Sequence, residues 1–181
     1  MRPAEQNFAE AATPDLSDEG GVPDAWLHHQ ETVPNHLADF AALVERHNGV
    51  WGGCWRLEFH PEGKGRGAHR REKKEQRVRQ GTAHAALVYD GPTCVDWCQF
   101  GSPEELPRIK RVYVEGWHAP PQWRITCFFV DKAYRGKGVS SAGLAGALEE
   151  IAGPGGGTVE SYSEDVTDRQ VSASSCTTAD W

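Results

Sequence analysis

One segment constrains the fold more than any other: residues 127–151, where an apolar strand leads through a short basic, glycine-rich turn directly into a helix. The strand is predicted over residues 123–130, and the turn has the sequence Arg-Gly-Lys-Gly. The helix is predicted over 138–152, and a last short strand over 158–162. A strand–helix–strand unit of this kind implies two parallel strands joined by a right-handed crossover.

The turn and the start of the helix have the chemistry of a phosphate-binding site. The first backbone N–H groups of a helix lack an intrahelical partner, and the helix dipole adds partial positive charge there. Glycine carries no Cβ that would keep an anion from those amides, and Arg135 and Lys137 add full positive charges. The segment therefore predicts a pyrophosphate-binding turn at residues 135–140. A surface turn before a core helix remains the alternative interpretation.

The chain upstream predicts a helix, a strand and a second helix. An i, i+3, i+4, i+7 pattern of apolar residues from Leu37 predicts the first helix, with Asn35 as its N-cap and Asn48-Gly49 at its end. Residues 50–59, which include two tryptophans, predict a strand. Charged residues 69–80 predict the second helix.

A hairpin follows these elements. Apolar runs at 83–89 and 94–100 flank an Asp-Gly pair, which favours a β-hairpin. The proline-containing residues 102–121 are predicted to be irregular. The predicted order is therefore helix, strand, helix, hairpin, loop, strand, helix, strand.

The glycine turn resembles a known family signature. Arg-x-x-Gly-x-Ser at 135–140 is similar to the Arg/Gln-x-x-Gly-x-Gly/Ala motif of GNAT-type, acetyl-CoA-dependent N-acetyltransferases. The overlapping run Val-Asp-x-x-Tyr-Arg-Gly-Lys-Gly at 130–138 resembles the strand-to-loop junction of that family. One position departs, since Ser140 stands where Gly or Ala is usual. The order of elements over about 34–162 resembles that family as well. The resemblance implies an α/β domain over 31–162, with a mixed central sheet and flanking helices.

The resemblance also implies a site. In that family the strand at 123–130 would splay from the strand at 158–162, and the pantetheine arm of acetyl-CoA would lie in the gap, hydrogen-bonded to the backbone of Phe129 and Val130. An amine acceptor would attack the thioester directly. The residues implied to hold the pyrophosphate are Arg135, Gly136, Lys137, Gly138, Val139 and Ser140.

The sequence identifies no catalytic base. Acetyl transfer needs a neutral amine, a donor for the oxyanion and a proton for the leaving thiolate. The strand at 123–130 contains no carboxylate and no histidine. Asp96, Glu160 and Tyr162 lie on neighbouring strands, but a structural or solvated role is favoured for each. Trp117 is a candidate for lining an acceptor pocket.

Two other functions are alternatives. The first is a catalytically impaired, GNAT-like protein that binds CoA. The second is a nucleic-acid binder that uses the basic residues of segment 64–79. The net charge of −7 and the lack of aromatic residues in that segment favour a solvated helix face instead.

The N-terminal region and the cysteines bear on location and metal binding. Residues 1–30 are polar and predict a disordered arm without the apolar stretch of a signal peptide, which favours a cytoplasmic protein. The odd number of cysteines predicts free thiols. Cys94 and Cys98 are spaced more widely than a CxxC pair, so no metal is expected. A homodimer is possible.

The C-terminal tail departs from the family pattern. A GNAT domain would add another helix and two strands after residue 162, but residues 163–181 are polar and too few. One possible coding of residues 175–181, shifted in frame, encodes a Tyr-Asn element like the start of the missing helix. The tail is therefore predicted to be truncated or frame-shifted, which puts activity in doubt, and a naturally short family member is the alternative.

Overall fold

The computed structural model describes residues 28–31, 36–49, 55–63, 69–108 and 121–161. They form one five-stranded mixed sheet, in which the strands follow their order in the chain. The first four strands are antiparallel to their neighbours, and the fifth is parallel to the fourth. The strands are β1 (His28–Glu31), β2 (His84–Asp90), β3 (Thr93–Gly101), β4 (Trp123–Val130) and β5 (Val159–Ser161). The α-helices are α1 (Leu37–Arg46), α2 (His69–Arg79) and α3 (Val139–Ala152).

Helix α1 packs on one face of the sheet through the apolar stripe that its sequence predicts. Phe40 of α1 meets Trp97 of β3 edge-on, with ring centroids 4.9 Å apart, and Trp97 stacks on Phe129 of β4 at 4.8 Å. All three rings are buried. The helix ends where Asn48 and Gly49 adopt φ values of 55° and 75°, which confirms the predicted end.

Helix α2 covers the same face although almost every residue in it is charged or polar. Arg70, Lys74 and Val78 are buried, and their i, i+4, i+8 spacing places them on one side of the helix. A helix that is polar all round would be expected to stand in solvent. Here charged side chains enter the protein interior, and they shape the site described below.

Helix α3 covers the opposite face with small residues. The larger apolar residues Leu144 and Leu148 are only partly buried, and Ala152 is exposed. The helix approaches the sheet closely, and this leaves little room for large side chains at the contact. The residues buried on α3 are Val139, Ser140, Gly143, Gly146, Ala147 and Ile151.

Three other predictions need correction. The strand expected at 50–59 is wrong in its described part, because residues 55–59 form turns and bends, with Trp55 and Arg56 at positive φ. The N-cap of α1 is His36, and Asn35 lies outside the described residues. The arm expected over 1–30 ends in β1, and residues 1–27 lie outside the described residues.

Candidate active site

In the described part of the chain, strand β5 pairs with the first residues of strand β4. Their parallel register joins residues 123–125 of β4 to residues 159–161 of β5. β4 continues for five residues beyond Ile125, to Val130, while the described part of β5 ends at Ser161. The second half of β4 therefore has β3 on one side and no described strand on the other.

The backbone of β4 alternates between these two sides. Asp131 N–H donates to Val95 C=O on the β3 side at 2.8 Å, so alternation directs the N–H and C=O of Phe129 towards β3 as well. The same alternation directs the backbone groups of Phe128 and Val130 away from β3. Of the two predicted pantetheine-binding residues, only Val130 thus has its backbone groups on the side of β4 that faces away from β3.

A β-bulge interrupts β4 directly after the residues that pair with the described part of β5. Gln99 of β3 aligns with Cys127 of β4, but Phe100 aligns with Ile125, so Thr126 is an extra residue. Trp123 N–H donates to Thr158 C=O on the β5 side. The bulge therefore reverses the alternation: odd-numbered residues such as Phe129 direct their backbone groups to β3 after the bulge, whereas Trp123, before it, directs its N–H to the β5 side.

The predicted pyrophosphate turn follows β4 and is open to solvent. Gly136 and Gly138 adopt φ values of 70° and 75°, and no atom lies within 4 Å of a Cβ built at either position. Ser141 N–H bonds back to Gly138 C=O at 3.1 Å. The amides of Gly138, Val139 and Ser140 precede that bond and have no place in the α-helical hydrogen-bond pattern.

The two cations of the turn flank these amides. Arg135 and Lys137 are exposed, and Lys137 Nζ lies 5.2 Å from the centre of the Tyr134 ring. Arg135 Nε donates to Val130 C=O at 3.4 Å. The turn thus presents positive charge and free glycine backbone at one helix start, a combination that suits a polyanion.

The turn is held to the rest of the protein by Asp131. Its side chain accepts a hydrogen bond from Ala133 N–H at 3.0 Å and pairs with Arg46 Nε of α1 at 3.0 Å. Arg46 also donates to Cys94 C=O at 2.7 Å. His47 Nε2 lies 3.1 Å from the same carboxylate, at an angle too poor for a hydrogen bond. The end of α1 therefore fixes the beginning of the turn.

The electrostatics of Asp131 follow from these contacts. Burial alone would raise the pKa of this carboxyl. The Ala133 N–H, His47 and Arg46 outweigh burial, so the pKa of Asp131 lies below its usual value and the carboxylate stays charged. On the other side of the turn, Tyr134 Oη donates to Asp90 Oδ2 at 2.9 Å.

The structure bears on the carboxylates considered as bases. Glu160 is buried and accepts a hydrogen bond from Arg124 Nε at 2.5 Å, which ties β5 to β4. Asp96 is completely buried between β3 and α3, on the face opposite α1 and α2. Glu160 is thus engaged in an ion pair, and Asp96 is removed from solvent. Tyr162 and Trp117 lie outside the described residues.

Asp96 has an unusual environment. Neither of its carboxylate oxygens has a hydrogen-bond partner within the described parts of the chain. A Cβ at Gly143 of α3 would overlap with its Oδ2 atom. Burial raises the pKa of Asp96 well above its usual value, and the Trp97 N–H lowers it only in part. Burial therefore favours the neutral, protonated form of this side chain.

The face that carries α1 and α2 has a second set of buried polar groups. Lys74 Nζ of α2 donates to Gln99 Oε1 of β3, and Gln99 Nε2 donates to Thr126 Oγ1 of β4. His60 is also buried, and its Nδ1 lies 3.0 Å from Glu105 C=O. Burial and the nearby cations Lys74 and Arg77 lower the pKa of His60 to about 2, so its ring is neutral.

Neither the contacts of Asp131 nor the buried polar groups around Lys74 and Gln99 were predicted from the sequence. One signal was available, since Arg70, Lys74 and Val78 share a helical stripe. Another was the glutamine inside the apolar strand β3. The salt bridge between the end of α1 and the turn had no signal, because residues far apart in sequence meet only through the sheet.

The basic segment is largely neutralised where it is described. On α2, Arg71 pairs with Glu45 and Glu75, and Arg77 pairs with Glu62. These contacts support the interpretation of α2 as a structural helix. In the described ranges, no group of three or more His, Cys, Asp or Glu could hold a metal ion, and no helix is long and apolar enough to cross a membrane.

The strand order, the parallel β4–β5 pair and the glycine turn before α3 give the chain a fold similar to that of solved acetyltransferases, which is the fold that the sequence motif implied. Similar solved structures include an aminoglycoside acetyltransferase from an uncultured soil metagenomic sample in complex with sisomicin, with TM-score 0.54 and 16% identity, covering 80% of this chain and 82% of that one. Another is an aminoglycoside N-acetyltransferase in complex with CoA, with TM-score 0.50 and 15% identity, covering 76% of each chain.

No family model and no curated protein matches the sequence. At such low identity the likeness establishes the fold, and the predicted mixed sheet with flanking helices is confirmed.

Proposed function

We propose that this protein is an N-acetyltransferase that moves the acetyl group of acetyl-CoA to an amine by direct attack on the thioester. The observation that carries the proposal is the open turn at the start of α3. Gly136 and Gly138 leave its backbone accessible, and Arg135 and Lys137 stand beside it. Fold likeness to acetyltransferases, one of them in complex with CoA, supports the same conclusion.

In this proposal the two ends of the cofactor occupy different elements. The pyrophosphate accepts hydrogen bonds from the amides of residues 136–140, with the two cations alongside. The pantetheine arm runs along the second half of β4, where β5 pairing has ended, and bonds to the backbone of Val130. Phe129 packs its ring against Trp97 and contributes to the shape of the site.

The acceptor is proposed to be an amine-bearing molecule. It would attack as a neutral amine, with water carrying its proton away, because Glu160 is paired with Arg124 and Asp96 lies buried on the other face. The soil acetyltransferase is in complex with sisomicin. The acceptor, the cytoplasmic location and a homodimer stay predictions.

The alternative is a CoA-binding protein with impaired catalysis. The absence of a carboxylate or histidine from β4 favours it. The two functions differ in one measurable property, since only the enzyme releases CoA from acetyl-CoA when an amine is added.

The test is an amine-library screen that follows free-thiol release from acetyl-CoA. We expect amine-dependent release with at least one class of amine. Saturable acetyl-CoA binding with no release for any amine would support the alternative. Neither binding nor release would contradict both.

A further inference from the structure

Three polar side chains form a row from α2 across the sheet to β4. Lys74 Nζ lies 3.1 Å from Gln99 Oε1, and Gln99 Nε2 lies 3.2 Å from Thr126 Oγ1. Their residues are only 2, 1 and 8% exposed. Burying such groups is costly unless donors and acceptors match, so the direction of each hydrogen bond is constrained.

Lys74 sets those directions. An ammonium group only donates, so the oxygen of the Gln99 amide must face it, and the amide nitrogen must then face Thr126. The Thr126 hydroxyl accepts this bond and has one hydrogen left to donate elsewhere. Among the described residues no acceptor for that hydrogen is found. The row therefore presents an oriented hydroxyl donor on β4.

The position of Thr126 on β4 indicates which ligand group this hydroxyl would contact. It is the bulge residue and directly follows Ile125, which pairs with Ser161 at the end of the described part of β5. Its side chain shares the face of α1 and α2 with Gln99, while α3 lies on the other face. A thioester at the end of a pantetheine arm along β4 would lie at this point, and an acceptor entering from the α1 and α2 side would meet it there.

The geometry points to Thr126 as the hydrogen-bond donor to the thioester carbonyl oxygen of bound acetyl-CoA, with Gln99 and Lys74 as positioning residues. This inference rests on the proposed function. As the amine nitrogen attacks the carbonyl carbon, the C–N bond forms and the π pair of the carbonyl moves to oxygen. A donor already aimed at that oxygen stabilises the developing charge.

The collapse of this intermediate completes the reaction. The carbonyl re-forms, the C–S bond breaks, and its electron pair leaves on sulfur. The amine nitrogen loses one proton and the thiolate gains one, so the products are an amide and CoA. Thr126 keeps its proton throughout, because its role is to donate a hydrogen bond.

Ligand binding tests this role without requiring turnover. Calorimetry would compare the Kd of acetyl-CoA with that of CoA, which lacks the carbonyl oxygen. Thr126→Val removes the hydroxyl at nearly constant volume. We expect it to weaken acetyl-CoA about three- to tenfold, the effect of one hydrogen bond, and to leave CoA unchanged. Thr126→Ser should recover most of the loss, and Thr93→Val, at an exposed strand position, should change neither ligand.

A second variant tests the direction of the row. Gln99→Glu keeps an acceptor for Lys74 but also offers Thr126 an acceptor where it now has a donor. The hydroxyl should then turn towards the new carboxylate, and the preference for acetyl-CoA over CoA should fall as in Thr126→Val. A melting temperature for each variant shows that it is folded.

Turnover provides a further readout. For an accepted amine, Thr126→Val should lower kcat about a hundredfold to a thousandfold while KM for the amine stays constant. Equal weakening of acetyl-CoA and CoA, or no change in either, would overturn the assignment of Thr126 and leave the proposed function standing. Failure of the wild type to bind either ligand would overturn both.

Discussion

The neutral acid at Asp96 makes the stability of this protein depend on pH in a defined direction. The folded chain holds a proton on Asp96 because burial raises its pKa well above the usual value. The unfolded chain releases that proton above about pH 4. The contribution of this group is therefore fully present below pH 4 and is lost as pH rises towards the folded pKa.

The size of this pH effect on the free energy of unfolding follows from the one proton that the folded chain binds and the unfolded chain releases. Between the unfolded and folded pKa values, the free energy of unfolding falls by ~1.4 kcal/mol for each pH unit. Asp96→Asn removes the titration and nearly preserves the shape. The stability of the Asn variant relative to the wild type should therefore rise with pH above about pH 4, for as long as Asp96 of the folded wild type keeps its proton.

Urea unfolding followed by tryptophan fluorescence at pH 5, 6 and 7 measures this difference. Taking the difference between two chains removes the contributions of other groups, such as Asp131, whose lowered pKa acts in the opposite direction. The same substitution at the exposed Glu104, Glu104→Gln, should follow the wild type. Parallel curves for wild type and Asp96→Asn would refute the argument that Asp96 is a buried neutral acid.

Three further predictions concern packing, the turn and the basic helix. Gly143→Ala should lower the free energy of unfolding by ~1–3 kcal/mol, because its Cβ would overlap with Asp96, and urea unfolding should show no such cost in an Asp96→Ala background. Asp131→Asn should weaken acetyl-CoA binding about three- to tenfold in calorimetry, because it loosens the contacts with Arg46 and Ala133 that hold the turn; unchanged affinity would exclude that role. Fluorescence anisotropy should show no DNA or RNA binding tighter than ~10⁻⁶ M at physiological salt, because five of the six Lys and Arg residues of α2 are paired or buried, and tighter binding would restore the nucleic-acid alternative.

The elements that the sequence predicted well are those whose signals are local. The hairpin depends on an Asp-Gly pair between apolar runs, and the turn at 135–138 on glycines next to a helix start. The second half of β4 has an almost continuous apolar sequence, so its extent was also predictable. Each of these signals lies within one short, continuous stretch of chain.

The errors arose where tertiary contacts outweigh local preference. Trp55 is buried, as a strand tryptophan would be, but it sits in a turn at φ 49°. Lys74 enters the interior because Gln99 and the ring of Phe40 receive it, and no pattern in α2 alone shows those partners. The bulge at Thr126 depends on the register of two strands and cannot be predicted from one.

The central claim is that the turn before α3 binds the pyrophosphate of acetyl-CoA, and calorimetric titration of acetyl-CoA tests it most directly. Gly138→Asp places a negative charge where the phosphate would lie, and Gly138→Asn makes the same change in shape without the charge. Gly81→Asp is the matched control, since Gly81 has a similar φ of 66° and no atom within 4 Å of a built Cβ.

We expect saturable binding to the wild type with Kd below about 1 mM, in the range of ordinary co-substrates. Gly138→Asp should weaken binding at least about tenfold, Gly138→Asn much less, and Gly81→Asp should leave it unchanged. Undiminished acetyl-CoA affinity in a folded Gly138→Asp variant would contradict the account.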